Sequence, residues 1–410
     1  MIALISCLLL FVVPASWVGN NALLPNVIGQ TSPSVEMTET ASSSQQRVLE
    51  RLFTTSEVSA DWFIPSFLEQ IPVAQIQDVL TDISTQLGAF QNVQETADGL
   101  AIRFSRGTVP AQIRLEEDGR IAGLFFEPAS IPIDLDEAIA VIESSPYETS
   151  VLVTQDDETL VDLNADQALA VGSAFKLSVL AALNQQIESG LLTWDTVVEL
   201  QPDLKSLPSG LMQDWPDGSF VTVDTLAKLM IALSDNTATD VLIQSVGREA
   251  VEAMAERNQP LLTTRELFTL KNPENARLLR QYRDGDREAR RKLLEDLGDR
   301  PLPSVNTFTG SPIALDVEWF FSPRELCTLM DSVANLPAMQ INPGVANPIN
   351  WKNIAFKGGS EPGVLNMTTR LVNEEGNTYC VSATWNSTEQ ALNEDILTQL
   401  YRSMIAGLTE

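Results

Sequence analysis

Histidine is absent from this chain of 410 residues, and cysteine is nearly absent. Without histidine, the chain cannot build a Ser-His-Asp triad, a Cys-His dyad or a His-ligated zinc site. Cys7 lies near the start, so Cys327 and Cys380 are too few for a disulfide framework or a thiolate metal cluster. These two could pair, but we expect two buried free thiols. We expect no metal ion and no cofactor, and any nucleophilic catalysis must use lysine or a carboxylate as its base.

Basic residues are also scarce. The chain has 26 Lys and Arg against 55 Asp and Glu, which gives a formal net charge of -29. Such a surface repels nucleic acid and anionic lipid, so we expect no nucleic-acid partner. The 44% of hydrophobic residues and 20% of charged residues are typical of an ordinary globular protein. We interpret the acidity as a solubilising surface and expect a monomer.

The chain starts with an apolar run, residues 1–13, followed by the small-residue site Val13-Pro14-Ala15. This pattern is typical of a secretory signal, although no basic residue precedes Arg47. We expect residues 1–19 to be a cleaved signal peptide, with an uncleaved membrane anchor as the alternative. Either predicts an exported protein, periplasmic or extracellular, that meets the membrane only if the leader stays attached. Residues 20–46 are Ser/Thr-rich without periodicity and predict a flexible linker.

Residues 47–130 predict a small α+β module. Apolar residues at helical spacing between Val73 and Ile83 precede Gly88, and strand-like alternation follows from Leu100 to Phe126. The pattern indicates helices packed on an antiparallel meander. No nucleophile and base cluster there, so we interpret the module as a docking or positioning unit rather than a second active site.

Residues 131–410 predict a larger α/β domain. Short strands near 150–163 come first, a long helical region extends from 173 to about 330, and strand character returns between 354 and 385. A closing helix is predicted over 389–405. Strands at both ends with helices between them predict an antiparallel sheet formed from both ends of the domain, packed beside an all-helical lobe.

The first group of residues with chemical potential is Ser173-Ala174-Phe175-Lys176, which follows Gly172 and begins a helical run. Residues three apart on a helix point the same way, so Ser173 and Lys176 are a candidate nucleophile and base. A lysine desolvated near another cation can lose its proton. Taken alone, the pair is more often an N-cap serine and a surface lysine.

Two further groups strengthen this interpretation. Ser234-Asp235-Asn236 lies between helical segments, where the hydroxyl of Ser234 could relay a proton and the amide of Asn236 could hold a substrate carbonyl. Lys357-Gly358-Gly359-Ser360 ends a strand, where Lys357 and Ser360 could bind a carboxylate. Taken alone, these would be a helix cap and a glycine turn.

In this order and on these elements, the three groups resemble the penicillin-recognising serine hydrolases, especially class A β-lactamases. The stretch from Leu207 through Ser234 to Leu242 resembles that family residue by residue. The resemblance covers about residue 131 to the end and implies the β-lactamase-like fold described above.

The resemblance also implies a role for each residue. Ser173 attacks a carbonyl and Lys176 takes its proton. Ser234 passes the proton to the leaving group, and Asn236 orients the acyl side chain. Lys357 supports Ser234 and, with Ser360, holds the substrate carboxylate, while the backbone N–H groups of Ser173 and Ser360 form the oxyanion hole.

The sequence departs from the family pattern at two places. Gly358 stands where the family usually has Thr or Ser, and no Glu-x-x-Leu-Asn box is found for activating the deacylating water. Glu266 is the nearest candidate, although it could equally be a helix-start carboxylate, and Glu318 is a weaker alternative. Extra charged helices are predicted over 275–300. We therefore expect acylation but not fast β-lactam hydrolysis.

The departures and the two-domain layout resemble the lactamase-like esterase protein of clavulanic acid gene clusters, which implies esterase or weak cephalosporin-directed activity. Our first hypothesis is a serine hydrolase that acts through an acyl-enzyme on a β-lactam, a small ester or a D-alanyl amide. The alternative is a penicillin- or peptidoglycan-binding protein that acylates without efficient turnover. A third hypothesis places the function in the small module.

Overall fold

The computed structural model describes residues 41–96, 99–126, 129, 135–156, 158–297 and 300–408. These residues form two compact units that separate at 133/134 in the chain. The predicted signal peptide and linker residues 20–40 lie outside the described residues. Across the described part of the chain, no helix combines the length and the apolar character needed to cross a membrane.

The first unit packs helices on a four-stranded antiparallel meander in the order β1-β2-β3-β4. Its described helices are α1 (Ala41–Thr54), α2 (Pro65–Leu68) and α3 (Val73–Leu87). Its strands are β1 (Phe90–Thr96), β2 (Gly99–Phe104), β3 (Gly107–Leu115) and β4 (Ile121–Phe126). The apolar face of α3 packs with the inner face of the strands in one hydrophobic core. Gly88 ends α3 with a φ of 82°, a conformation that suits glycine.

Helix α1 differs from the sequence-based expectation, because it begins at Ala41, inside the predicted linker. Its first turns are polar and carry no apolar period, yet tertiary hydrogen bonds hold them. The side-chain amide of Gln45 donates to the carbonyl of Ile113 at 2.7 Å, and that of Gln46 donates to the carbonyl of Val93 at 2.6 Å. The sequence also does not predict strand β1, because apolar and polar residues alternate only weakly along FQNVQET.

The second unit contains a five-stranded antiparallel sheet in the order β11-β12-β13-β5-β6. The strands of this unit are β5 (Glu148–Gln155), β6 (Glu158–Leu163), β7 (Leu169–Ala170), β8 (Val197–Glu199), β9 (Phe220–Thr222), β10 (Phe320–Phe321), β11 (Asn353–Glu361), β12 (Val364–Val372) and β13 (Thr378–Asn386). Strands from the start and the end of the unit thus share one sheet, and this confirms the predicted fold class. The pairs β7–β10 and β8–β9 form short separate ladders.

The described helices of this unit pack on the two faces of the sheet or form the lobe beside it. They are α4 (Leu135–Glu143), α5 (Lys176–Glu188), α6 (Val223–Ala232), α7 (Asn236–Val246), α8 (Arg248–Ala253), α9 (Thr264–Lys271), α10 (Ala276–Asp284), α11 (Arg287–Glu295), α12 (Pro323–Val333) and α13 (Glu394–Gly407). On one face, Tyr401 of α13 donates a hydrogen bond to the carbonyl of Val381 at 2.7 Å. On the other face, Arg370 of β12 pairs with Asp331 of α12. Helix α5 is buried over Lys176–Leu183, as expected for the central helix of a lobe.

Cys327 of α12 and Cys380 of β13 form a disulfide, with their Cα atoms 6.0 Å apart. The expectation of two free thiols is therefore wrong. The two residues are 53 positions apart in the chain, and only the packing of α12 on β13 brings them within the Cα separation that a disulfide allows. The bond links the helical lobe to the sheet.

We expect the double replacement Cys327→Ser and Cys380→Ser to lower the free energy of unfolding by about 2–4 kcal/mol, because the unfolded chain gains loop entropy. Urea denaturation of the variant and of the oxidised wild type measures the difference. The wild type in reductant should match the variant. Equal stability of the oxidised protein and the variant would contradict the expectation.

Candidate active site

Ser173 lies in a tight 3-10 turn, Gly172–Phe175, that continues directly into α5 at Lys176. Gly172 has a φ of 49°, in the left-handed region that glycine adopts without strain. The ring of Phe175 stacks on Trp319, with the ring centroids 3.8 Å apart. The backbone N–H of Val171 donates to the carbonyl of Trp319 at 3.0 Å. One side of the turn is therefore fixed by the segment that leads into β10.

Strand β11 holds the other side of the turn. A Cβ atom at Gly359 would lie only 2.3 Å from the backbone nitrogen of Ser173 and 2.3 Å from the carbonyl oxygen of Val171. The two backbones touch without a side chain between them, and only glycine permits this approach. A Cβ atom at Gly172 would in turn lie 3.4 Å from the nitrogen of Ser360. The contact thus places the backbone nitrogens of Ser173 and Ser360 on two adjoining segments, where both N–H groups could donate to an oxyanion.

Lys176 is fully buried one helical turn after Ser173. Its Nζ donates to Asn236 Oδ1 at 2.7 Å, to Ser234 Oγ at 3.1 Å and to the carbonyl oxygen of Ser234. Burial, and then the positive charge of Lys357, hold the pKa of Lys176 well below its usual range. A lysine in this environment can exist as the neutral amine and accept a proton.

Ser234 lies in the loop between α6 and α7 with a φ of 54°, which is unusual for a residue other than glycine. Its carbonyl accepts a hydrogen bond from Ser209 Oγ at 2.7 Å. The next residue, Asp235, caps α7 and also accepts from the backbone nitrogens of Leu211 at 2.7 Å and Met212 at 2.9 Å. These contacts hold the backbone in its uncommon conformation and aim the hydroxyl of Ser234 inward.

Lys357 reaches the same hydroxyl from β11. Its Nζ donates to Ser234 Oγ at 3.0 Å and to the carbonyl of Gly358 at 2.6 Å. Burial lowers the pKa of Lys357 to about 7. Ser234 Oγ therefore lies between two buried amines, an arrangement that can move a proton between Lys176 and a leaving group.

Asn236 begins α7 and is bonded at both ends of its amide. Its Oδ1 accepts from Lys176, and its Nδ2 donates to the carbonyl of Leu207 at 2.9 Å. An amide nitrogen has two N–H groups, so one remains for an acyl carbonyl. Asn236 is positioned both to hold the base and to orient a substrate.

Ser360 is exposed on β11, on the opposite face of the strand from Lys357. Gly358 shares the face of Ser360. A Cβ atom at Gly358 would lie 2.9 Å from the ring of Phe356 and 3.0 Å from the carbonyl of Asn366. The ring of Phe356 thus fills the space that a threonine side chain would need, which gives this departure from the family pattern a local cause.

Glu266 is committed to contacts within the helical lobe. It occupies the third position of α9 and forms a capping box with Thr263. Both carboxylate oxygens also accept from the guanidinium of Arg248, at 2.7 Å and 2.9 Å. These are the contacts of a helix-start carboxylate, the second of the two interpretations that the sequence allowed.

Glu318 lies in a buried cluster that sequence reasoning did not anticipate. Its carboxylate pairs with Lys271, the last residue of α9, which also pairs with Glu361 at 2.7 Å. Burial, and then the charge of Glu361, raise the pKa of Glu318 well above its usual range. A lysine at a helix end and a glutamate directly after Ser360 gave no motif by which to find the cluster.

Comparison with known proteins supports the resemblance. Residues 134–297 match the family model described as the β-lactamase enzyme family. The matched segment contains Ser173, Lys176, Ser234 and Asn236, and it begins where the second unit begins. This segment is therefore β-lactamase-like. A comparison with curated protein sequences gives no significant match.

This chain is similar to several solved structures. The structure of PBP-A has a TM-score of 0.47 and 17% identity, and the match covers 68% of this chain and 98% of that one. A β-lactamase from Sphaerobacter thermophilus has a TM-score of 0.44 and 20% identity, and the match covers 67% of this chain and 96% of that one. A representative class A β-lactamase from Bacteroides cellulosilyticus has a TM-score of 0.46 and 16% identity, and the match covers 67% of this chain and 96% of that one.

The contact between Gly359 and the Ser173 turn predicts that Gly359→Ala disrupts the site. We expect the free energy of unfolding of the second unit to fall by about 1–3 kcal/mol, since a methyl group would overlap two backbone atoms. Urea denaturation measures the change. Gly285→Ala, in the same unit, is the control, because its Cβ atom would come no closer than 3.1 Å to a neighbouring atom. Equal effects of the two substitutions would contradict the close contact.

Proposed function

We propose that this protein is a serine hydrolase that forms an acyl ester on Ser173 and then hydrolyses it. The observation that supports the proposal most strongly is the position of Ser234 Oγ between the buried amines of Lys176 and Lys357, beside the Ser173 turn. Its substrates are β-lactams, small esters or D-alanyl amides, all of which present an acyl group to a serine nucleophile.

In the acylation step, neutral Lys176 takes the proton of the Ser173 hydroxyl as the oxygen attacks the acyl carbonyl. The backbone N–H groups of Ser173 and Ser360 stabilise the oxyanion, with help from the positive end of α5. Ser234 then passes the proton to the leaving nitrogen or oxygen. Because burial holds the pKa of Lys176 well below its usual range, the neutral amine is favoured and can act as the base.

Lys357 gives the site a preference for substrates with a carboxylate, whereas Ser360, whose side chain lies on the opposite face of β11, contributes its backbone N–H to the oxyanion hole. β-Lactams and D-alanyl peptides carry such a group next to the bond that breaks, whereas simple esters do not. A carboxylate bound beside Lys357 would favour the ammonium form, since an opposite charge offsets the cost of burial. Asn236 provides the remaining amide N–H for the acyl side chain.

We further propose that the protein is exported and acts as a monomer, periplasmic or extracellular, tethered to the membrane only if the leader is retained. The disulfide Cys327–Cys380 supports export, because such bonds persist in oxidising compartments. The first unit is proposed to dock or position the protein.

A second candidate is a penicillin- or peptidoglycan-binding protein that stays acylated. The contacts of Glu266 favour it, because a carboxylate held by Arg248 and a capping box cannot easily activate water.

The nucleophile is tested by intact mass during reaction with a chromogenic cephalosporin. We expect wild type to gain the mass of one acyl group and Ser173→Ala to gain none, with unchanged thermal unfolding. Ser209→Ala, which changes another hydroxyl near the loop of Ser234, should still be acylated. An adduct on Ser173→Ala would contradict the proposal.

The pKa of Lys357 predicts how substrate binding depends on pH. The lowered pKa, about 7, means that the ammonium is fully present below pH 7 and is lost as the pH rises. For a carboxylate-bearing substrate, KM should therefore rise by up to about tenfold per pH unit above 7. Lys357→Arg should remove this rise, because guanidinium stays charged. A neutral ester is the control, and an equal rise in its KM would contradict the assignment.

A further inference from the structure

The cluster of Lys271, Glu318 and Glu361 joins three elements of the second unit. Lys271 ends α9, Glu318 precedes β10, and Glu361 ends β11. Nζ of Lys271 donates to one carboxylate oxygen of each glutamate. The side chains of Lys271 and Glu318 are fully buried, whereas that of Glu361 is 15% exposed. Glu361 is therefore the member of the cluster that water can reach.

The charges of the cluster do not balance, since one ammonium faces two carboxyl groups. Burial alone would lower the pKa of Lys271, but the charges of Glu318 and Glu361 outweigh it and raise that pKa. The pKa of Glu318 is raised, so Glu318 holds a proton more readily than an ordinary glutamate does. Lys271 therefore stays a cation between the two carboxyl groups. A buried arrangement of this kind costs stability and is often found at functional sites.

Two members of the cluster lie close in the chain to residues that hold the Ser173 turn. Glu361 is two residues beyond Gly359, so both share one face of β11, about 6.8 Å apart along the strand. This is the face on which Gly359 touches the nitrogen of Ser173. Glu318 directly precedes Trp319, whose carbonyl accepts from Val171 N. Glu318 and Glu361 therefore belong to the two segments that hold the turn of the nucleophile.

Two other carboxylates of the lobe are engaged elsewhere. Both oxygens of Glu266 bind Arg248, and both oxygens of Asp235 accept backbone N–H groups. In Glu361, the oxygen Oε1 binds Lys271, and the side chain is the one partly exposed side chain of the cluster. A base for an acyl ester needs this combination of a fixed position and access to water.

We propose that Glu361, positioned by Lys271 and Glu318, is the base that activates water to hydrolyse the Ser173 acyl ester. The inference depends on the proposed function. Water attacks the acyl carbon while Glu361 takes one of its protons. When the tetrahedral intermediate collapses, the bond between the acyl carbon and Ser173 Oγ breaks. The proton returns to Ser173 Oγ, and the acid product leaves with the water oxygen.

The test separates acylation from deacylation. Rapid-quench intact mass follows formation and decay of the adduct with benzylpenicillin, a chromogenic cephalosporin and a p-nitrophenyl ester. We expect Glu361→Gln to acylate at a rate within about threefold of wild type and to deacylate at least about a hundredfold more slowly. Glu325→Gln is the control. Glu325 lies at the start of α12, where it pairs with Arg257 and belongs to a capping box. The adduct on Glu325→Gln should decay as fast as the adduct on wild type.

A merely structural role would give a different pattern. Loss of fold would abolish acylation together with deacylation, so a normal acylation rate shows that the site is intact. If Glu361→Gln does not fold, Glu361→Asp keeps the charge beside Lys271 and withdraws the carboxylate by one methylene. We then expect deacylation to slow about tenfold with acylation unchanged. Glu318→Gln, which keeps the Lys271–Glu361 pair, should slow deacylation less than Glu361→Gln.

Several results would overturn the inference. The inference is overturned if the acyl adduct on Glu361→Gln decays as fast as the adduct on wild type. It is also overturned if the adduct accumulates on Glu266→Gln and not on Glu361→Gln. An adduct that persists on wild type would show that Glu361 activates no water and would select the acyl-trapping protein. No adduct on wild type with any of the three probes would overturn the proposed function, and the inference with it.

Discussion

The site depends on one contact, in which the backbone of Gly359 lies directly on the backbone of Ser173. The contact requires that β11, near the end of the chain, pass against the start of α5, with no side chain between them. The sheet makes this possible because β5 and β6 from the start of the unit share it with β11–β13 from its end. The Ser173 turn and β11 meet because this sheet holds both ends of the unit together.

Two buried lysines follow from the same packing. Taking an ammonium group out of water is costly, and a second one nearby increases the cost. The protein reduces this cost by favouring the neutral form of Lys176 and by giving its Nζ the oxygens of Ser234 and Asn236. The strained backbone of Ser234 persists because Asp235 fixes the loop. The burial that costs stability therefore also lowers the pKa of Lys176 and makes its amine usable as a base.

Glu266 and Glu361 show how packing assigns different roles to similar residues. Their side chains are exposed to similar extents, 13% and 15%, and each pairs with a cation. Glu266 binds a guanidinium with both oxygens and closes the start of α9, whereas Glu361 shares one ammonium with a second carboxyl group. The first arrangement satisfies the carboxylate, and the second leaves two carboxyl groups to share one cation.

The sequence alone determined the fold class of the second unit and the residues of the three motifs, because period-two and helical patterns are local and the motifs lie on them. It also excluded a histidine triad. Tertiary structure decided what depends on distant pairs. Cys327 and Cys380 are joined across 53 residues, the polar start of α1 is held by strands of its unit, and Lys271 meets Glu361 across 90 positions. No local pattern encodes such contacts, since they arise only when separate elements pack together.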